Sequence, residues 1–236
     1  MIDYIKKQRM NDLLKIFLGG ENLWLSSRRC LWWPDKQTLV VADLHIGKGI
    51  DFSRRGALLP PYDVQDTLSR LKQLINKFLA KRVICLGDNF HRSQSFGSLK
   101  EWEQKAINDL VLSVQEWIWI IGNHDPDLPV ELRGTKIENM KDGYLGFYHQ
   151  PTFENEEELQ IVGHFHPKYV TKIHRQRIRK PCFAWNQKTL IMPSFGSYTG
   201  GLNVDHCEIR KVLSHSFYVA TADTAPKPIL IEQNYS

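Results

Sequence analysis

The chain has 236 residues, 42% of them hydrophobic and 24% charged, which is the balance of an ordinary globular protein and excludes a disordered or fibrous one. Net charge is +5, from 31 basic and 26 acidic side chains, which permits a phosphate-rich partner without requiring one. Four scattered cysteines without CxxC spacing fit a reducing compartment and exclude a disulfide framework or zinc knuckle, and no apolar run is long enough to cross a membrane. The N-terminal stretch has no apolar signal region, so the expected location is cytoplasmic.

In chain order, residues 22–33 (NLWLSSRRCLWW) read as an early strand, and TLVVADLH as a buried strand running into Asp43 and His45. Residues 62–80 space Val64, Leu68, Leu71, Leu74, Ile75 and Phe78 at helical period after Pro60 and Pro61. RVICLGDNFH is a second buried strand. SLKEWEQKAINDLVLSV is a second amphipathic helix, and EWIWIIGNHD a third strand. Alternating strands and helices predict parallel β-α-β units in this half.

The second half changes character. GYLGFYHQP, LQIVGHFHP, KPCFAWNQKTLIMP and DHCEIRKVLSHSFYVA read mostly as strands between turns. The acidic run Glu154–Glu158 reads as a solvated loop. One domain is expected over residues 1–236, with an extended tail after about residue 225.

Five apolar runs end in polar residues: Asp43-Leu44-His45, Gly87-Asp88-Asn89-Phe90-His91, Gly122-Asn123-His124-Asp125, Tyr148-His149-Gln150-Pro151 and Gly163-His164-Phe165-His166-Pro167. Parallel sheets collect ligands at the carboxyl ends of their strands. Each end carries Asp, Asn or His and none carries Cys. That oxygen and nitrogen set suits manganese, iron or zinc. In D-x-H and H-x-H, alternate residues of an extended segment point to one side, so Asp43 and His45 can grip one ion together. Asp88, alone at its strand end, is the natural bridge between two ions about 3.5–4 Å apart. A single D-x-H or a single buried His more often has a structural role; five in order after apolar runs favour a metal site.

These blocks resemble the calcineurin-like metallophosphoesterases, whose pattern is D-x-H, G-D-x-x, G-N-H-D/E, H, G-H-x-H. The resemblance implies an α/β fold, a four-layer α-β-β-α sandwich with two divalent metals, manganese first and zinc or iron as alternatives. It assigns Asp43, His45, Asp88 and His166 to one metal, and Asp88, Asn123, His149 and His164 to the other. His124 becomes the catalytic imidazole, with Asp125 orienting it. Beyond the blocks, ADLHIGKGIDFSRRGALLPP, RIRKPCF and MPSFGSYTGG are similar to the ligase-associated DNA damage response endonucleases. That likeness implies a phosphodiesterase or endonuclease of DNA repair acting through a metal-bound hydroxide, with DNA as substrate and a DNA ligase or helicase as partner. Many superfamily members carry Asp, Glu or Asn where this chain has His91, so His91 reads as a supporting group or phosphate contact. Ser194-Phe195-Gly196 and Gly200-Gly201 would shape the cavity wall.

Arg54 and Arg55 follow the first block and could reach a substrate phosphate. Lys168, Lys172, Arg175, Arg177, Arg179 and Lys180 follow the last, beside the site, and read as a nucleic-acid track or a solvated face. Trp32, Trp33, Trp117 and Trp119 read as core. The rival functions are a hydrolase of small phosphates, such as cyclic nucleotides or phosphomonoesters, and a non-catalytic subunit of a repair assembly. A protein phosphatase is supported by nothing beyond the superfamily.

Overall fold

The structure, a computed structural model, describes residues 12–49, 62–153, 159–173, 176–214, 216–222 and 226–232. Arg54, Arg55, Arg175, the Pro60-Pro61 pair and the run Glu154–Glu158 lie outside them.

Two mixed sheets stack face to face. The first holds seven strands in sequence order: β1 (Leu13–Leu18), β2 (Glu21–Ser26), β3 (Cys30–Trp33), β4 (Thr38–Val41), β5 (Arg82–Leu86), β6 (Glu116–Ile120) and β7 (Thr135–Ile137). β1 to β4 run antiparallel to one another; β4 to β7 are parallel. The second sheet is built from β8 (Asn139–Asp142), β9 (Leu145–Tyr148), β10 (Leu159–Val162), β11 (Lys168–Ile173), β12 (Gln176–Trp185), β13 (Thr189–Ile191), β14 (Ser216–Thr221) and β15 (Ile229–Glu232). Its order is β15-β14-β12-β13-β10-β9-β8, with β11 paired to β12, and β9, β10 and β13 are parallel.

Period-two alternation divides each central strand between two cores. Leu39 and Val41, Val83 and Cys85, Trp117 and Trp119 face outward onto α1 (Asp63–Phe78) and α3 (Glu101–Val111), beside the single turn α2 (Ser95–Ser98). Val40, Ile84, Leu86, Ile118 and Ile120 face inward, where Phe147, Ile161, Phe183 and Leu190 of the second sheet meet them. Val162, Cys182, Ala184 and Val219 face the far side, under α4 (Cys207–Leu213). Three cores between four layers make the expected α-β-β-α sandwich. Strands buried on both faces must be apolar throughout, which is why VICL and WIWI are unbroken.

α1 opens with Asp63 and Asp66, which favour a helix N-terminus, and closes at Leu79 in a left-handed conformation. α3 begins at Glu101, with Glu103 accepting the Lys100 N–H at 2.9 Å. Among the described residues no helix is long and apolar enough to cross a membrane.

Two expectations are corrected. Residues 22–33 form a hairpin, β2 and β3, since Arg29 turns the chain at φ 64° and donates to Ser26 O at 3.0 Å. The segment 205–220 is not all strand. Ile209, Val212 and Leu213 keep helical spacing, and α4 lays Ile209 and Leu213 on the second sheet before β14 begins.

Phe147 is fully buried between the sheets and stacks near Trp33, with ring centroids 6.1 Å apart. Replacing it with Ala should cost about 3–5 kcal/mol of stability through lost burial and a cavity. Urea unfolding would read this; a loss below about 1 kcal/mol would mean that the sheets do not meet there.

Candidate metal centre

All five sequence blocks come to one edge of the sandwich. Asp43 follows β4, Asp88 follows β5, Asn123 follows β6, His149 follows β9 and His164 follows β10. The parallel strands of each sheet therefore deliver their carboxyl ends to the same place.

The local backbone differs from the expected extended segments. Asp43, His45, Asp88, His164 and His166 all have positive φ, between 45° and 69°. Each chain turns sharply as it leaves its strand, and repeating the left-handed turn two residues later brings Asp43 and His45, or His164 and His166, to one side. Left-handed conformations of non-glycine residues carry strain and collect at functional sites. Hydrogen bonds hold them here: His45 N–H to Asp88 O at 2.9 Å, Ile46 N–H to Asn89 O at 2.9 Å, and His164 N–H to the Asp43 carboxylate at 3.0 Å. Gly196 N–H donates to Asp43 O at 3.1 Å, so the Ser194–Gly196 segment walls the site from behind.

Two groups of donors share Asp88. Ligand atoms of Asp43, His45, Asp88 and His166 lie within 4.8 Å of one another, and so do those of Asp88, His149 and His164. Asn123 joins the second group, its Oδ1 2.9 Å from His149 Nε2. His91 falls in a third group with His45 and His124.

The chemistry of the donor set fits divalent cations. His149 Nδ1 lies 2.9 Å from Leu86 O, which can only accept, so that nitrogen carries the proton. The lone pair of the neutral ring then sits on Nε2, 2.9 Å from Asn123 Oδ1, 3.3 Å from Asp88 Oδ1 and 3.2 Å from His164 Nδ1. Acceptors crowd together, an arrangement that a shared cation stabilises. Burial pushes the His45 imidazole down to about 3, leaving it neutral, with Nε2 3.2 Å from His166 Nε2 and 3.7 Å from Asp88 Oδ2. Burial also lowers His164. Burial alone would raise the Asp43 carboxyl, but the surrounding imidazoles, His166 foremost, hold it below the usual carboxylate range. Neutral imidazoles and ionised carboxylates are the ligand forms of these side chains.

His124 is different: its side chain is 44% exposed. Its N–H donates to Asp88 Oδ1 at 3.0 Å and its Nδ1 lies 3.2 Å from the His91 carbonyl. That carbonyl places the proton on Nδ1 and leaves Nε2 at the open face, 3.9 Å from Asp88 Oδ2. The expectation that Asp125 orients this ring is corrected. Asp125 is fully buried, and it accepts from Asn89 N and Phe90 N at 2.8 and 3.1 Å and from Gly122 N at 3.0 Å. It staples the loop after β5 to the loop after β6, and His91 O orients the imidazole instead. Burial, with the charge of Asp88 adding to it, raises Asp125 to about 6 against these N–H groups.

Sequence reading missed Gln150, whose Nε2 lies 3.4 Å from both Asn123 Oδ1 and His164 Nδ1. Its position directly after His149 was the available signal. The expected basic track is divided. Arg177 and Arg179 are exposed, Lys168 and Lys180 are half-buried, and the Lys172 side chain lies outside the description. Arg179 donates to Gly201 O at 2.9 Å. Trp33, Trp117 and Trp119 are buried core, and the partly buried Trp32 stacks on Phe78 at 5.0 Å.

The family model of calcineurin-like phosphoesterases matches residues 36–206. Among solved structures, the chain is similar to a Pseudomonas putida nuclease, MPE, at 25% identity and a TM-score of 0.73, over 91% of this chain and 100% of that one. A phosphoesterase from E. coli matches at 13% identity and a TM-score of 0.40, over 84% and 99%. No curated protein matches the chain.

Gly122 is fixed by this packing, because a Cβ there would lie 2.1 Å from Asp88 N and 2.4 Å from Asp88 Oδ1. Gly122→Ala must displace Asp88 or its loop, and should lower bound metal at least tenfold while far-UV circular dichroism stays near wild type. Full metal content in that variant would show that Asp88 is free to move.

Proposed function

The chain belongs to the calcineurin-like phosphoesterase family, and we propose that this metal-dependent phosphoesterase cleaves phosphodiesters in DNA as an endonuclease. The observation that carries the metal reading is the pair of donor groups meeting at Asp88. In this reading Asp43, His45, Asp88 and His166 hold one ion, and Asp88, Asn123, His149 and His164 hold the other. Two bound divalent ions supply Lewis acidity and a nucleophilic water at neutral pH. Manganese is the metal favoured from the resemblance, and the mixed imidazole and carboxylate donors without thiolate also admit zinc or iron.

The chain's own residues supply the rest. Leu86 O locks the tautomer of His149, so Nε2 faces inward. His124 projects Nε2 from the open face of the site; the His91 carbonyl holds its ring and the Asp88 carboxylate holds its backbone N–H. As the new P–O bond forms and the bond to the leaving oxygen breaks, His124 would act as the imidazolium, taking a second proton from solvent on Nε2, and that Nε2–H would stabilise the phosphoryl oxygens or pass to the leaving oxygen. The His91 ring, 5.9 Å from that of His124, flanks the same face as a phosphate contact. Asp125 acts on the reaction only through the loops that it joins.

A nuclease among similar structures supports a nucleic-acid substrate, together with the net positive charge, and the choice of DNA rests on the resemblance of the sequence blocks. A role in DNA repair and a DNA ligase or helicase partner rest on the resemblance of the sequence blocks, and a cytoplasmic location on the scattered cysteines without CxxC spacing.

Metal-stripped protein should be assayed on a chromogenic phosphodiester, the matching monoester, and single- and double-stranded DNA, with manganese, zinc or magnesium restored. Manganese should restore diester and DNA cleavage. His124→Ala should keep its metal and lose about 10²–10⁴-fold in kcat. Activity confined to monoesters, or an unimpaired His124→Ala enzyme, would overturn the proposal.

A further inference from the structure

The turn between β2 and β3 carries Arg28 and Arg29, which no sequence block singled out. β3 runs antiparallel to β4 with Leu31 opposite Val40, so this turn sits at the end of the sheet that bears Asp43. There Arg28, Arg29 and Arg70 of α1 line one cavity of about 340 Å³, with Ala222 on its far wall. Ala222 N–H donates to Pro181 O at 2.7 Å, and Pro181 is opposite Lys168, two residues beyond His166. Arg179 donates to Gly201 O at 2.9 Å, and a Cβ at Gly201 would lie 3.0 Å from Lys168 Cε, so both cations flank Gly201. A continuous basic shelf therefore leads from the site to the arginine cavity.

Two of its guanidinium groups, those of Arg28 and Arg179, donate to neutral partners: Arg28 to Gln73 Oε1 at 3.1 Å, and Arg179 to the carbonyl of Gly201. Arg70 faces a carboxylate, Asp66, at 2.9 Å. Guanidinium groups match the geometry of phosphate oxygens, and an edge that holds several in line with a hydrolytic site favours a polyanion over a single small anion.

We infer that this shelf, formed by Arg28, Arg29, Lys168 and Arg179 with Arg70 behind them, seats the phosphate backbone of a nucleic-acid strand away from the scissile position. The inference rests on the proposed function, because it extends the same substrate beyond the metals. Among the described residues no aromatic side chain lines the arginine cavity, so the contact reads backbone charge and not base identity.

The test compares wild type, an Arg28→Gln/Arg29→Asn variant and an Arg28→Lys/Arg29→Lys variant. Asn suits position 29 because it tolerates the left-handed φ found there. Binding of metal-free protein to a fluorescent DNA duplex is measured across salt concentrations, alongside manganese-dependent turnover of a small phosphodiester. Neutralising both arginines should weaken DNA binding at least tenfold and reduce the log–log salt slope by about 1.8, at about 0.9 per lost phosphate contact. Turnover of the small diester should be unchanged, and the Lys variant should keep the slope. An unaltered slope, no DNA binding by wild type, equal loss of small-diester turnover, or displacement of DNA by polyglutamate as readily as by unlabelled DNA would each overturn the shelf. The two readings fail separately: wild type that binds DNA through these arginines but hydrolyses no diester would contradict the proposed chemistry alone.

Discussion

Asp88 is the residue around which the site is arranged. One oxygen accepts the His124 N–H and faces His149, while the other faces His45 and His124. Placing a carboxylate in reach of so many imidazoles requires several loops at close quarters, at the end of two sheets. The sandwich meets that requirement because its parallel strands end together, and because Gly122 lets one loop press against the backbone of another. Left-handed turns at Asp43, His45, Asp88, His164 and His166 give the side chains a common direction. The strain of those turns is offset by the hydrogen bonds that cross between loops and by the Asp125 staple.

The same geometry separates two kinds of histidine. His45 and His149 are buried, neutral or tautomer-locked, and suited to hold a cation. His124 stands at the open face with a free route to solvent, suited to meet a substrate. A site closed beneath by ligands and open above fits a substrate that approaches with its phosphate first. The basic shelf then extends from the His166 side of that opening.

Much of this was legible in the sequence. Unbroken apolar runs followed by Asp, Asn or His marked the strand ends, and the spacing of Leu71, Leu74 and Ile75 marked α1. The grouping of Asp43, His45, Asp88 and His166 was implied by the resemblance of the blocks to the calcineurin-like family. Four features were missed. The β2–β3 turn uses Arg29 in a left-handed conformation, with no Gly or Asn to announce it. Asp125 looked like a partner for its neighbour His124, but adjacency along a turn does not make side chains meet, and its oxygens go to backbone groups of another loop. β1 was overlooked although Gly19 and Gly20, both with positive φ, form the two-residue hairpin turn that Gly-Gly favours. Arg28 and Arg29 join the site only through sheet pairing, which no local pattern records.

The central claim is that Asp88 is shared by two cations, and the most direct measurement is anomalous X-ray diffraction from crystals grown with manganese, supported by metal analysis in solution. The account predicts two manganese ions per chain, one among Asp43, His45 and His166, the other among Asn123, His149 and His164, both ligated by Asp88. A single ion, or a pair not bridged by Asp88, would contradict it.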